Sequence, residues 1–153
     1  TDFIETGVYD RRRPFHVTTS PSMDILVSSN LERLLYFLSK DAERRAALEA
    51  AGAEVLELPG SGGAVDLRAL LEELARRDVN EVHVEAGARL SGAFLEAGLV
   101  DEILLYQAPC LFGEGLPIAT LPLPAAPGEA PRWTIVSTDQ VGHDLRIVLK
   151  RGQ

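Results

Sequence analysis

The stretch Asn80-Glu-Val-His-Val-Glu85-Ala-Gly87-Ala-Arg-Leu-Ser-Gly92 constrains this chain more than any other. It reads as a short buried strand over 80–85 that ends on a carboxylate and a glycine and turns directly into a helix. In an α/β sheet such a junction is where ligands bind. The carboxyl end of the strand meets unpaired, outward-facing N–H groups of the following helix. That helix end carries about half a positive charge, so it attracts phosphate without needing a basic side chain. Glu85 at this spot opposes an anionic ligand and resists ionisation if buried without a partner. A carboxylate placed there is a functional candidate.

The totals set limits on what surrounds that junction. A chain of 153 residues is long enough for one domain, and nothing in it suggests a second. No apolar run approaches the ~20 residues of a membrane-spanning helix, and Thr1-Asp-Phe-Ile-Glu5 is not a signal peptide. The expected location is the cytoplasm. The chain begins without an initiator methionine and in mid-pattern, so sequence is expected upstream. The single cysteine, Cys110, excludes an internal disulfide and suits a reducing compartment. A net charge of −8 argues against nucleic acid and anionic membranes as partners. It leaves room for a phosphorylated small molecule held by backbone amides.

Along the chain, the first clear strand is Pro14–Thr19, after the basic loop Arg11-Arg-Arg13. Leu34–Leu38 is a continuous apolar run, as a strand covered on both faces would be. Ser39 or Asp41 caps a helix through Ala51, with Gly52 as its stop, and Ala53–Leu58 is the next strand. Pro59-Gly-Ser-Gly-Gly63 lacks the Lys-Ser/Thr ending of a phosphate loop and reads as a turn. Asp66 caps a helix whose Leu67, Leu70, Leu71 and Leu74 form one apolar stripe. Glu72–Arg76 and Glu73–Arg77 are the pairs expected on its wet side. After strand 80–85, a helix over 88–97 presents Leu90, Ala93, Phe94 and Ala97 inward and ends at Gly98. Ile103–Ala108 is an apolar strand, and Cys110 just beyond it is expected in the core. Pro109–Pro131 contains six prolines and little periodicity, an irregular excursion of the kind that often lies over a site. Strands Trp133–Gln140 and Leu145–Lys150, joined at Gly142-His-Asp144, close the chain. Strand–helix alternation followed by a hairpin predicts an α/β fold with a mainly parallel sheet flanked by helices and an antiparallel C-terminal hairpin.

One motif is a decoy. His83-Val-Glu85 followed by Pro109-Cys110 looks like part of the zinc-deaminase signature, H-x-E … P-C-x-x-C. The position of the second cysteine holds Gly113, leaving two ligands where the chemistry needs three. No metal is expected.

With the motifs placed, Val82-His-Val-Glu85-Ala-Gly87-Ala-Arg-Leu-Ser-Gly-Ala-Phe-Leu-Glu-Ala-Gly98-Leu-Val-Asp101-Glu-Ile-Leu-Leu-Tyr106-Gln-Ala-Pro109-Cys-Leu-Phe-Gly113 resembles the signature of the riboflavin-pathway pyrimidine reductases. These form the C-terminal domain of the bifunctional riboflavin deaminase/reductase and also occur alone. The segments from Glu43 to Gly60 and from Val65 to Leu71 resemble the same family, as does the closing strand pair.

The resemblance implies a dihydrofolate-reductase-like fold and NADPH-dependent reduction of the ribose of 5-amino-6-(5-phosphoribosylamino)uracil to the ribitylamino product. It implies that Gly87, Ala88, Arg89, Leu90, Ser91 and Gly92 cradle NADPH, with Gly87 allowing close backbone approach. By the same resemblance Glu85 contacts the substrate and Ser20 is a cofactor-contacting polar residue. A homodimer is implied too, since family members associate through this domain.

The front of the chain departs from the pattern. The family's opening strand–helix unit, with its Met-Ser-Leu-Asp-Gly-like segment, has no counterpart, so 1–153 reads as one reductase-like domain lacking that unit. Two alternatives stay open. One is a non-catalytic nucleotide-binding or dimerising remnant, and the other is a same-fold reductase of another pterin- or pyrimidine-like substrate.

Overall fold

A computed structural model of the chain describes residues 15–19, 25–29, 33–38, 41–111 and 113–152. They gather into two compact units, divided between Gly87 and Ala88.

The first unit is built on a five-stranded sheet. Its strands are β1 (Phe15–Thr19), β2 (Ile25–Ser29), β3 (Arg33–Leu38), β4 (Glu54–Glu57) and β5 (Val82–Val84), in the spatial order β4-β3-β2-β1-β5. β2 runs antiparallel to both β1 and β3, while β3–β4 and β1–β5 are parallel. β2 is absent from the sequence reading. Ile25-Leu-Val is short and passes at once into Ser28-Ser29, leaving no period to detect, and the two neighbouring strands supply what holds it.

Between β3 and β4 lies helix α1 (Ala42–Ala50). The Asp41 carboxylate accepts from the Arg44 N–H at 2.9 Å, which selects Asp41 as the cap. Gly52, at φ +87°, takes the left-handed conformation that ends the helix. Pro59–Gly63 is a turn closing in a single tight 3-10 turn at Ser61–Gly63.

Helix α2 (Leu67–Arg76) is capped by Asp66, whose carboxylate accepts from Ala69 N–H at 3.0 Å. Leu70 and Leu74 are fully buried, and with Val55 and Val79 they make the described core of this unit. Leu67 and Leu71 flank them, half-buried. Asp78, at φ 62°, turns the chain after α2, and Val79 N–H returns to the Leu74 carbonyl at 3.1 Å. The ion pairs differ from expectation in one respect. Arg76 pairs with Glu73 instead of Glu72. Glu73 is also no wet-side residue: its side chain is 13% exposed, and it gathers both Arg76 and Arg77. Arg77 continues to Glu54 on β4 at 2.7 Å, tying the end of α2 to the sheet.

The second unit holds helix α3 (Ala88–Glu96) and an antiparallel sheet of β6 (Glu102–Gln107), β7 (Trp133–Val141) and β8 (Asp144–Arg151), ordered β6-β8-β7. Gly92 and Phe94 of α3 are buried, whereas Ala97, expected to face inward, is exposed. Gly98 at φ +69° ends α3. The hairpin β7–β8 turns at Gly142, φ +62°, and carries a bulge between Ile135 and Ser137.

The sheet expectation therefore needs correction. Among the described residues two strand pairings are parallel and four are antiparallel, so the fold is mixed α/β and not mainly parallel. The apolar run at Ile103 forms β6, whose hydrogen-bonding partner β8 runs antiparallel to it, and strand direction is set by the partner. Cys110 is likewise exposed and not in the core. It lies past the end of β6, where alternation no longer aims a side chain inward.

Candidate functional site

β5 is a three-residue strand at the edge of the first sheet, held by β1 in parallel register with Phe15 beside Val82, His16 beside His83 and Val17 beside Val84. Both strands end at the same edge. Val84 is the last strand residue, so Glu85 falls just beyond the ladder, as the sequence pattern required in kind though not in length. Glu85 Oε1 lies 3.3 Å from Nε2 of His83. The Glu85 side chain is 64% exposed and that of His83 37%. The spacing His-x-Glu, first weighed as a metal motif, is the signal that could have found this pair. Among the described residues no group of three or more His, Cys, Asp or Glu is placed to hold a metal ion.

Two residues further, a Cβ built on Gly87 meets no heavy atom within 4 Å among the described residues. Gly87 does not have a positive φ, so its conformation does not demand glycine. Its bare backbone leaves open space. α3 then begins at Ala88, with no acidic residue in its first turn. Arg89 there is exposed, whereas Ala88, Leu90 and Ser91 are half-buried. The first N–H groups of a helix have no partner within it, and the first turn of α3 carries no acidic side chain.

Gly92 has a different environment from Gly87. It is buried, and a Cβ there would lie 2.0 Å from the carbonyl oxygen of Thr120 and 3.0 Å from its nitrogen. The Thr120 N–H donates to the Ala88 carbonyl at 2.8 Å. The space over Gly92 is thus filled by the backbone of the proline-rich excursion. Thr120 was not singled out from the sequence, since a backbone contact across 28 residues leaves no side-chain signature. Ser20, the remaining candidate, lies outside the described residues.

The described elements are those of a mixed α/β protein. The chain belongs to the RibD C-terminal domain family, which it matches over residues 8–147. It is 39% identical over 82 residues to the riboflavin biosynthesis protein RibD of Haemophilus influenzae, covering 53% of this chain and 22% of that protein. The 5-amino-6-(5-phosphoribosylamino)uracil reductase of Buchnera aphidicola subsp. Acyrthosiphon pisum is 30% identical over 86 residues, 56% of this chain and 42% of that protein. Among solved structures, Acinetobacter baumannii RibD, form 2, superposes with a TM-score of 0.60 at 31% identity, over 71% of this chain and 29% of that chain. A short likeness of another kind also exists: the threonine synthase of Eremothecium gossypii is 54% identical over 39 residues, 26% of this chain and 8% of that protein. The chain spans about a quarter of the length of the first RibD relatives it matches. Among the described residues no helix is long and apolar enough to cross a membrane.

Proposed function

We propose that this chain is the reductase part of a riboflavin-biosynthesis protein, with a dihydrofolate-reductase-like fold, and that it uses NADPH to reduce the ribose of 5-amino-6-(5-phosphoribosylamino)uracil. The observation that carries the reading is the open backbone at Gly87 immediately before the acid-free first turn of α3, in a chain of the RibD C-terminal domain family. These residues fit a dinucleotide phosphate: Gly87 lets an anion approach the main chain, Ala88 adds no bulk, and the first-turn N–H groups supply donors.

The roles follow from position. Gly87 and the turn Ala88–Ser91 hold phosphate oxygens, with Arg89 adding a cation from the exposed side of the turn. Gly92 serves that turn from behind, through its packing on Thr120. Glu85 accepts hydrogen bonds from sugar hydroxyls or the amine of the substrate, and His83 restrains its carboxylate. NADPH, when bound, supplies the hydride, and the chain's part is to bind and orient both partners.

A second reading is favoured by length. A chain covering 22% and 25% of its first relatives can be the nucleotide-binding part of a larger protein without being active alone. Titration of the 153-residue chain with NADPH by calorimetry, with intact mass recorded on the same sample, tests the proposal. Saturable micromolar binding followed by turnover of the phosphoribosylamino-uracil supports the enzyme. Binding without turnover supports the second reading, and no binding defeats the cofactor assignment.

A further inference from the structure

The excursion between β6 and β7 has an internal anchor that no side chain provides. It leaves the sheet after Gln107 and returns at Trp133. Midway, its backbone presses onto α3: Thr120 N–H donates to Ala88 C=O at 2.8 Å, and the Thr120 carbonyl occupies the place a Cβ of residue 92 would take, 2.0 Å from it. Alanine is the better helix former at an interior position, so the local preference for residue 92 runs against glycine. What requires glycine there is the approach of Thr120. Leu111, Leu116 and Leu123 are almost wholly exposed, and apart from the short 3-10 turn Pro127–Glu129 its described residues form no helix or strand.

We infer that Gly92 and Thr120 form a backbone joint that fixes the excursion to α3 and steadies the first turn of that helix through Ala88. The joint stands on the geometry of the second unit alone, while its effect on nucleotide rests on the function proposed above. Gly92 and Thr120 are positioning residues. The joint holds Ala88 by its carbonyl and so steadies the turn whose N–H groups would meet phosphate. It needs the Thr120 main chain and is indifferent to its hydroxyl and methyl.

The test compares Gly92→Ala, Thr120→Ala and the unaltered chain in limited proteolysis mapped by mass, and in NADPH titration, with circular dichroism to verify the fold. Gly92→Ala is expected to be cut inside 109–131 about tenfold faster, as a segment with a lower opening free energy is. It is also expected to bind NADPH about tenfold more weakly, a loss of turn geometry expressed as affinity. Thr120→Ala is expected to match the unaltered chain in both. Equal cleavage of Gly92→Ala and the unaltered chain would overturn the joint, and so would a Thr120→Ala effect as large as that of Gly92→Ala. If Gly92→Ala fails to fold, amide hydrogen exchange in the unaltered chain decides: protection of Thr120 N–H supports the joint, and exchange at the unprotected rate overturns it. An unaltered chain that binds no NADPH defeats the proposed function, while proteolysis still judges the joint.

Discussion

Nε2 of His83 stands 3.3 Å from Oε1 of Glu85, so the carboxylate proposed to meet the substrate is held by a side chain of the strand that precedes it. A glutamine at 85 keeps the shape and a contact with the imidazole while removing the charge. Glu85→Gln is expected to leave thermal stability and NADPH affinity unchanged and to lower turnover by about 100-fold, the scale on which lost substrate orientation is felt. Steady-state kinetics beside a calorimetric titration measures both, and full turnover in this variant would remove Glu85 from the mechanism.

Gly87 offers a cleaner probe of the cofactor than most glycines. A side chain there meets no protein atom within 4 Å among the described residues, and the backbone angle tolerates it. Gly87→Val is therefore expected to fold normally and to lose NADPH affinity by tenfold or more, about 1.4 kcal/mol. Unchanged affinity would sink the assignment of Gly87 to the phosphate cradle.

Leu70 and Leu74 carry the first unit's core, at 0% and 1% exposure. Truncation of either to alanine is expected to cost about 2–5 kcal/mol, since transfer and cavity terms add. Leu71→Ala, on a half-buried position of the same helix, is expected to cost less than either. Urea unfolding of the three variants ranks them.

Helix caps should register separately from the core. Asp66→Ala removes the acceptor for Ala69 N–H and is expected to cost about 1 kcal/mol. Asp66→Asn, which keeps an acceptor oxygen, is expected to recover most of it in the same denaturation assay.

The two adjacent arginines at the end of α2 make a further contrast. Arg77 bonds Glu54 and Glu73, and these hydrogen bonds raise its guanidinium pKa above the usual arginine value. Among the described residues Arg76 pairs with Glu73, and it is 68% exposed. Arg77→Ala is expected to cost about 1 kcal/mol and Arg76→Ala less than about 0.5, because exposed single pairs contribute little. Equal losses would mean that the bridge from Arg77 to β4 contributes nothing.

Much of the architecture was legible because it is written locally. Asp41 and Asp66 announce their helices with side-chain acceptors, and Gly52 and Gly98 end theirs in left-handed conformations. The leucine stripe of α2 reports which face is covered. The junction proposed as the site was legible for the same reason, as Glu85, Gly87 and the first turn of α3 follow one another closely in the chain. β2 was missed because three apolar residues before a serine pair carry no period. Cys110 was misplaced because frequency of burial stood in for an actual neighbour.

The sequence by itself determined the family, the helix boundaries and the strand–glycine–helix junction that carries the candidate site. Each of these depends on residues within a few positions of one another or on direct resemblance. Tertiary structure alone decided strand direction, the choice of Glu73 as the partner of both Arg76 and Arg77, and the approach of Thr120 to Gly92. Those depend on which distant segments become neighbours. A hydrogen-bonding edge, an ion pair and a bare helix backbone each accept more than one partner until the chain has folded and one of them is in place.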